Sequence, residues 1–243
     1  MVGKDYSLGY PPIFTAIGNC DANTLSFLLD QGADVNWKLY DVESTALHFT
    51  VRLFHESRRN EFLRCFDVLL KRPDVDFDWF VKPQCVRFSL PFNLRKSILY
   101  FEDASLNSRR LYYGTPLAIA VRLGCNYMAE ALILKGADVS KVEIDYVNNF
   151  YFHPQCMRYL NLLYYSGFKF PSYIQVPSRS SISDIKEFRK WLKQISERPM
   201  SLKSLARISI KRALGKNLPK LDRLILPKAL QDYVSFKDIM EDD

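Results

Sequence analysis

The chain has 243 residues, 48% of them apolar and 14% aromatic, which is enough to fill a core and excludes a globally disordered protein. Its formal charge is +7, and residues 181–243 carry 14 Lys+Arg against 9 Asp+Glu, so the excess sits in the C-terminal quarter. A basic balance permits an acidic partner, but Arg58-Arg59 and Arg109-Arg110 fall far below a nucleic-acid footprint; a solvated basic helix face accounts for the excess.

No apolar run reaches the roughly 18 residues of a membrane span. Met1-Val2-Gly3-Lys4-Asp5 has no apolar stretch behind its charges, so no secretory signal is expected. The cysteines (Cys20, Cys65, Cys85, Cys125 and Cys156) are odd in number, widely spaced and free of C-x-x-C. They read as small buried hydrophobes, not as a disulfide framework or a zinc module. An intracellular address, cytoplasmic or nuclear, is expected.

In chain order, the first element is Pro12-Ile13-Phe14-Thr15-Ala16, continuing to Leu28-Leu29-Asp30-Gln31-Gly32-Ala33-Asp34-Val35-Asn36. The second is Thr45-Ala46-Leu47-His48, continuing to Leu69-Leu70-Lys71-Arg72-Pro73-Asp74-Val75-Asp76. The third is Gly114-Thr115-Pro116-Leu117-Ala118-Ile119-Ala120, continuing to Leu132-Ile133-Leu134-Lys135-Gly136-Ala137-Asp138-Val139. A fourth, Arg158 to Gly167, matches only the second half. Threonine caps a helix, proline fits its first turn, and glycine just past the second helix allows the positive φ that ends it. Each helix pair has an apolar face that it buries by stacking on its neighbours.

Two departures stand out. Leu47 to Leu69 spans 22 residues against 15 from Ile13 to Leu28, and the extra residues fall around His55 to Glu61. Between Asp76 and Pro116 lie 40 positions where about nine are expected for this period. The stretch 77–113 is rich in aromatics, among them Phe77, Trp79, Phe80 and Tyr113. It is either a degenerate repeat or an ordered insertion, and its aromatic content favours the insertion.

These units resemble the ankyrin repeat, which opens on T-P-L-H-x-A and closes on L-L-x-x-G-A-D-V-N. His48 takes the histidine position, where it serves as a hydrogen-bonding structural residue.

A Ser-rich linker, 171–182, ends the repeat region. Ile185, Phe188, Trp191, Leu192 and Ile195 recur at helical spacing, so a connecting helix over 183–197 leans on the last repeat as a cap. Ser201 then caps a helix in which Leu202, Leu205, Ala206 and Ile210 share a face, with a basic strip of Lys203, Arg207 and Lys211 alongside. Pro227 opens a further short helix bearing Leu230, Tyr233 and Val234, and an acidic tail, 237–243, closes the chain.

Ser201, Leu202, Leu205, Arg207, Ile210, Leu214 and Gly215 resemble the elongin-binding part of a SOCS box, S-L-x-x-L-C-R-x-x-I-R-x-x-L-G, with Ala206 in place of the cysteine. Leu221, Leu224, Pro227, Leu230, Tyr233 and Val234 resemble its cullin-selecting part, with Ile225 in place of the first proline. Repeats over 1–170 followed by a box over 198–236 are similar to the ankyrin repeat and SOCS box family. The resemblance implies an all-α fold: an ankyrin solenoid of three clear repeats plus degenerate units, then a helical box. It implies that Leu202, Leu205, Ala206 and Ile210 dock on elongin C, which travels with elongin B. It implies that Leu224, Ile225, Leu226 and Pro227 select cullin-5 with its RING protein, and that the repeats hold an unidentified protein substrate. The other reading is a plain ankyrin interaction scaffold with a degenerate box.

Enzymatic chemistry is not expected. His48, His55 and His153 show no metal-ligand spacing, Leu214-Gly215-Lys216-Asn217 lacks the upstream glycine of a phosphate loop, and no G-x-S-x-G occurs. The alternation of Asp74, Asp76 and Asp78 lacks the Gly and Glu of a calcium loop. No cofactor, metal, nucleic acid or membrane partner is expected.

Overall fold

Helices in this chain are short because their stop signals are closely spaced. The structure, a computed structural model, describes residues 11–39, 43–57, 59–82, 113–142, 156–170, 182–214 and 221–240. Among these the regular elements are helical, and the β contact present is an isolated bridge between Val81 and Gly114. The helices are α1 (Pro12–Gly18), α2 (Ala22–Asp30), α3 (Ala46–Ser57), α4 (Glu61–Leu70), α5 (Pro116–Arg122), α6 (Asn126–Leu134), α7 (Cys156–Tyr165), α8 (Ile182–Glu197), α9 (Leu202–Leu214), α10 (Lys228–Val234) and α11 (Lys237–Met240). The chain divides into two units, Met1–Ile119 and Ala120–Asp243.

In the first unit α1 packs on α2 and α3, and α2 and α3 both pack on α4. Phe14, Ile17, Leu25, Leu47, Phe66 and Leu69 are almost wholly buried there. The Phe14 and Phe49 rings meet edge to face at 5.4 Å. In the second unit α6 packs on α7, and α7 also takes α9 and α11.

Three second helices end in the same way. The N–H groups of Ala33, Ala137 and Phe168 reach back to Leu28, Leu132 and Leu163, each at 3.0 Å, around Gly32, Gly136 and Gly167 at φ +87°, +97° and +95°. This is the Schellman closure, and it needs the left-handed glycine that the sequence supplies. The second unit of the sequence pattern departs for a physical reason. Arg72 donates to Leu69 (3.1 Å), but Pro73 follows and has no N–H for the outer bond. The Arg72 guanidinium instead reaches α2, at Asp30 Oδ1 (2.6 Å) and the Ser26 carbonyl (3.1 Å).

The loops beyond these ends repeat as well. Asp34, Asp76 and Asp138 accept the N–H groups of Asn36, Asp78 and Ser140 in Asx turns. The extra residues after Leu47 extend a helix: α3 has 12 residues where α1 and α5 have seven. His48 is buried and bonded on both nitrogens, Nδ1 to Thr45 Oγ1 (2.8 Å) and Nε2 to the Gly114 carbonyl (3.1 Å). The carbonyl can only accept, so Nε2 carries the proton. Burial pushes the imidazole down to about 4.

Of the aromatic stretch 77–113, the described parts are its ends, where Phe77, Val81 and Tyr113 are buried; residues 83–112 lie outside the described residues. So do 171–181, which hold most of the expected linker, and Gly215, Tyr40, Arg58, Cys85 and His153. Cys65 and Cys125 are buried, Cys20 is half-buried, and all three are thiols outside any disulfide. Burial pushes the Cys65 thiol up to about 12, so it behaves as a small hydrophobe. No described helix is long and apolar enough to cross a membrane.

Candidate functional site

Helix α8 lies on the α7 region through Phe188, Trp191 and Leu192, all buried. Trp191 donates its indole N–H to Asn161 Oδ1 at 2.8 Å, and its ring meets Phe170 at 5.1 Å. Next, Ser201 Oγ accepts the Ser204 N–H (3.1 Å), satisfying a free donor at the start of α9.

Two faces of α9 behave oppositely. Ser204, Arg207 and Ile208 point inward and are buried. Leu202 is 85% exposed, Leu205 is 46% exposed, and Ala206 is exposed beside them. Ile210 and Leu214 lie between these faces, half-buried against Leu221 and Val234 together with Leu226.

The inward face is not solvated, which corrects the expected basic strip. Arg207 is 1% exposed. Its guanidinium lies 3.5 Å from the Tyr233 ring centroid, 4.8 Å from that of Phe236 and 5.6 Å from that of Tyr165, and it donates to Asp238. Lys211 rests over Phe236 at 3.8 Å and donates to the Ile133 carbonyl at 3.3 Å. Burial, with the Arg207 charge adding to it, pushes the Lys211 ammonium down to about 7. Of the three strip residues only Lys203 is exposed, and it too covers an aromatic ring, that of Tyr233 at 4.1 Å. Cation–π contacts and one carboxylate replace the water these groups lose.

After α9, the Leu224 to Pro227 loop presents Ile225 fully to solvent and leaves Leu224 36% exposed. Gln231 Nε2 holds this loop by donating to the carbonyls of Leu226 (3.2 Å) and Leu224 (3.3 Å). Pro227 then stands at the N-cap of α10. The outcome is an array of exposed large apolar side chains, Leu202, Leu205, Leu224, Ile225 and Leu230, carried on elements fixed from beneath. On α9, Leu202 and Leu205 lie one turn apart on the same exposed face, the arrangement an interaction surface presents.

Residues 198–235 match the SOCS box family. No curated protein matches the chain. A SOCS box implies an adaptor role in an elongin B/C–cullin ubiquitin ligase, and SOCS box proteins are typically non-catalytic.

Within the box, the expected docking residues Leu202, Leu205 and Ala206 all lie on the outward face. Ile210 does not share it fully; it contributes to the small core with Leu221 and Val234, because a 13-residue helix turns that position toward α10. Leu226 likewise faces that core, whereas Leu224, Ile225 and Pro227 are exposed. The expected acidic tail begins as α11, and its Asp238 closes on Arg207, so its first residues are docked and not free. Sequence reasoning missed this Arg207–Tyr233–Phe236–Asp238 cluster. The available signal was the aromatic and acidic spacing just after α10, in a segment read only for its charge.

Proposed function

We propose that this protein is the substrate-recognition subunit of an elongin B/C–cullin-5–RING ubiquitin ligase. Helix α9 docks in an apolar groove of elongin C, with Leu202 as the anchor and Leu205 and Ala206 beside it. Leu224, Ile225 and Pro227 meet the cullin. The helical pairs ahead of the box are ankyrin repeats, and they hold a target protein. Support for the repeats comes from the closures at Gly32, Gly136 and Gly167, and from the Asx turns that follow Gly32 and Gly136.

The observation that carries the reading is Leu202 at 85% exposure at the start of a helix whose opposite face is sealed. A lone leucine is unremarkable in solvent; one heading a row that continues through Leu205 is a docking face. Ala206 fills less of a pocket than cysteine would, which weakens the contact by about 0.5–1.5 kcal/mol without abolishing it. Co-expression with elongins B and C, followed by size exclusion, tests the reading. A single species containing all three chains is expected, and it should retain cullin-5 in preference to cullin-2. Elution of the chain apart from both elongins would leave the plain scaffold as the surviving account.

A further inference from the structure

In the first unit, a cleft of about 470 Å³ opens between the loops that follow α2 and α4. Its walls include Asp34, Asn36, Trp37, Lys38, Asp76 and Trp79. The walls are fixed by bonds that do not involve the Lys38 side chain. Asp34 and Asp76 each hold the N–H two residues on, at 2.8 and 3.0 Å. Asn36 clamps one loop to the other through the Asp74 carbonyl and the Asp76 N–H, both at 2.7 Å. The Trp79 indole N–H donates to the Glu43 carbonyl at 2.8 Å, which sets the ring plane.

On that ring sits an ammonium. Lys38 Nζ lies 3.0 Å from the Trp79 centroid. The negative face of an indole attracts a cation, and carboxylates in the same cleft deepen the attraction. Lys38 itself is exposed, on a flexible four-carbon stem, so it leaves the ring at little cost.

We infer that this cleft is a cation subsite, which takes a lysine or arginine side chain from a protein partner in exchange for Lys38. Charge selects this occupant. Among the described lining residues two carboxylates, Asp34 and Asp76, face one ammonium, that of Lys38, so an acidic side chain or a phosphate is disfavoured there. The flat indole face suits a guanidinium or an ammonium stem equally. As the surface that receives a ligase target, the cleft rests on the adaptor reading; as a cation site it does not.

The indole N–H resonances of the full chain report on the site. They are recorded during titration with the N-acetylated, C-amidated peptide Gly-Ser-Lys-Ser-Gly and, separately, with Gly-Ser-Glu-Ser-Gly blocked in the same way. The lysine peptide is expected to shift the Trp79 resonance saturably, and the glutamate peptide to leave it in place. Lys38→Gln removes the competing ammonium and should tighten the lysine peptide about threefold to tenfold. Asp76→Asn keeps an acceptor oxygen for the Asx turn, so it leaves the fold intact and should loosen the peptide by about the same factor. The inference is overturned by the absence of a saturable shift in both the natural and the Lys38→Gln chain. Equal responses to the two peptides, or no tightening in Lys38→Gln, overturn it too. Since no elongin is in the tube, a negative result removes the subsite and leaves the adaptor reading standing, and the reverse holds for a chain that binds peptide but no elongin.

Discussion

Arg207 is the residue by which the box holds itself together. It is 1% exposed, yet its carboxylate partner Asp238 keeps 44% of its side chain in solvent. The Tyr233, Phe236 and Tyr165 rings supply the rest of its surroundings. Arg207→Ala removes this packing and opens a void between α9, α10 and α11. It should lower unfolding free energy by about 2–4 kcal/mol in urea titration, whereas a substitution at exposed Leu202 stays within about 0.5 kcal/mol. Lys211 adds a pH dependence. Its ordinary value is near 10.5 and the fold holds it at about 7. Below 7 both states are protonated and the buried charge opposes folding in full. Between 7 and 10.5 the unfolded chain binds a proton that the folded chain lacks, so stability rises with pH, by at most about 1.4 kcal/mol per unit. Measured against Lys211→Met, the natural chain should gain stability steadily between pH 7 and 10; a flat difference across that window contradicts the burial.

At the scale of elements, two glycines with the same backbone make different predictions. Gly32 and Gly167 both sit at φ near +90°, but a Cβ at Gly32 meets nothing within 4 Å, while one at Gly167 meets Ile208 Cγ2 at 3.0 Å and Arg212 Nη2 at 3.3 Å. Gly32→Ala therefore costs only the left-handed strain, about 1 kcal/mol. Gly167→Ala adds a push against α9 and should cost about 1–3 kcal/mol more, which comparison of the two melting curves checks. This contrast separates what the sequence made legible from what it did not. The closures at Gly32, Gly136 and Gly167 were readable because a glycine after an apolar helix is local chemistry. The cap on α9 was readable for the same reason, from Ser201. The inward turn of Arg207 was not, because it depends on Asp238, 31 residues further on, folding back across α9. Basic residues at helical spacing look solvated until an aromatic partner from elsewhere covers them. Leu202 was readable as apolar, but its outward direction follows only once Ser204 and Ile208 have taken the inward positions.

On the scale of the whole molecule, the box is joined to the helices before it. Within the second unit α9 and α11 both pack on α7, and α8 is pinned to Asn161 of α7 by its tryptophan. Amide hydrogen exchange should therefore show α7 and α9 opening with the same free energy, within about 1 kcal/mol, as one cooperative unit. Early exchange of α9 with α7 still protected contradicts that coupling. The same packing explains how Leu202 and Leu205 are presented at all: the helix that carries them is anchored by its other face. It also draws two of the 14 Lys+Arg of residues 181–243, Arg207 and Lys211, toward the interior of the unit. The adaptor account then turns on a single side chain. Titration calorimetry of the elongin B/C heterodimer into the full chain, natural and Leu202→Ala, measured alongside melting temperature, addresses it. Loss of a fully buried leucine anchor predicts affinity weaker by about 10- to 100-fold with an unchanged melting temperature; equal affinity in the two chains contradicts the account.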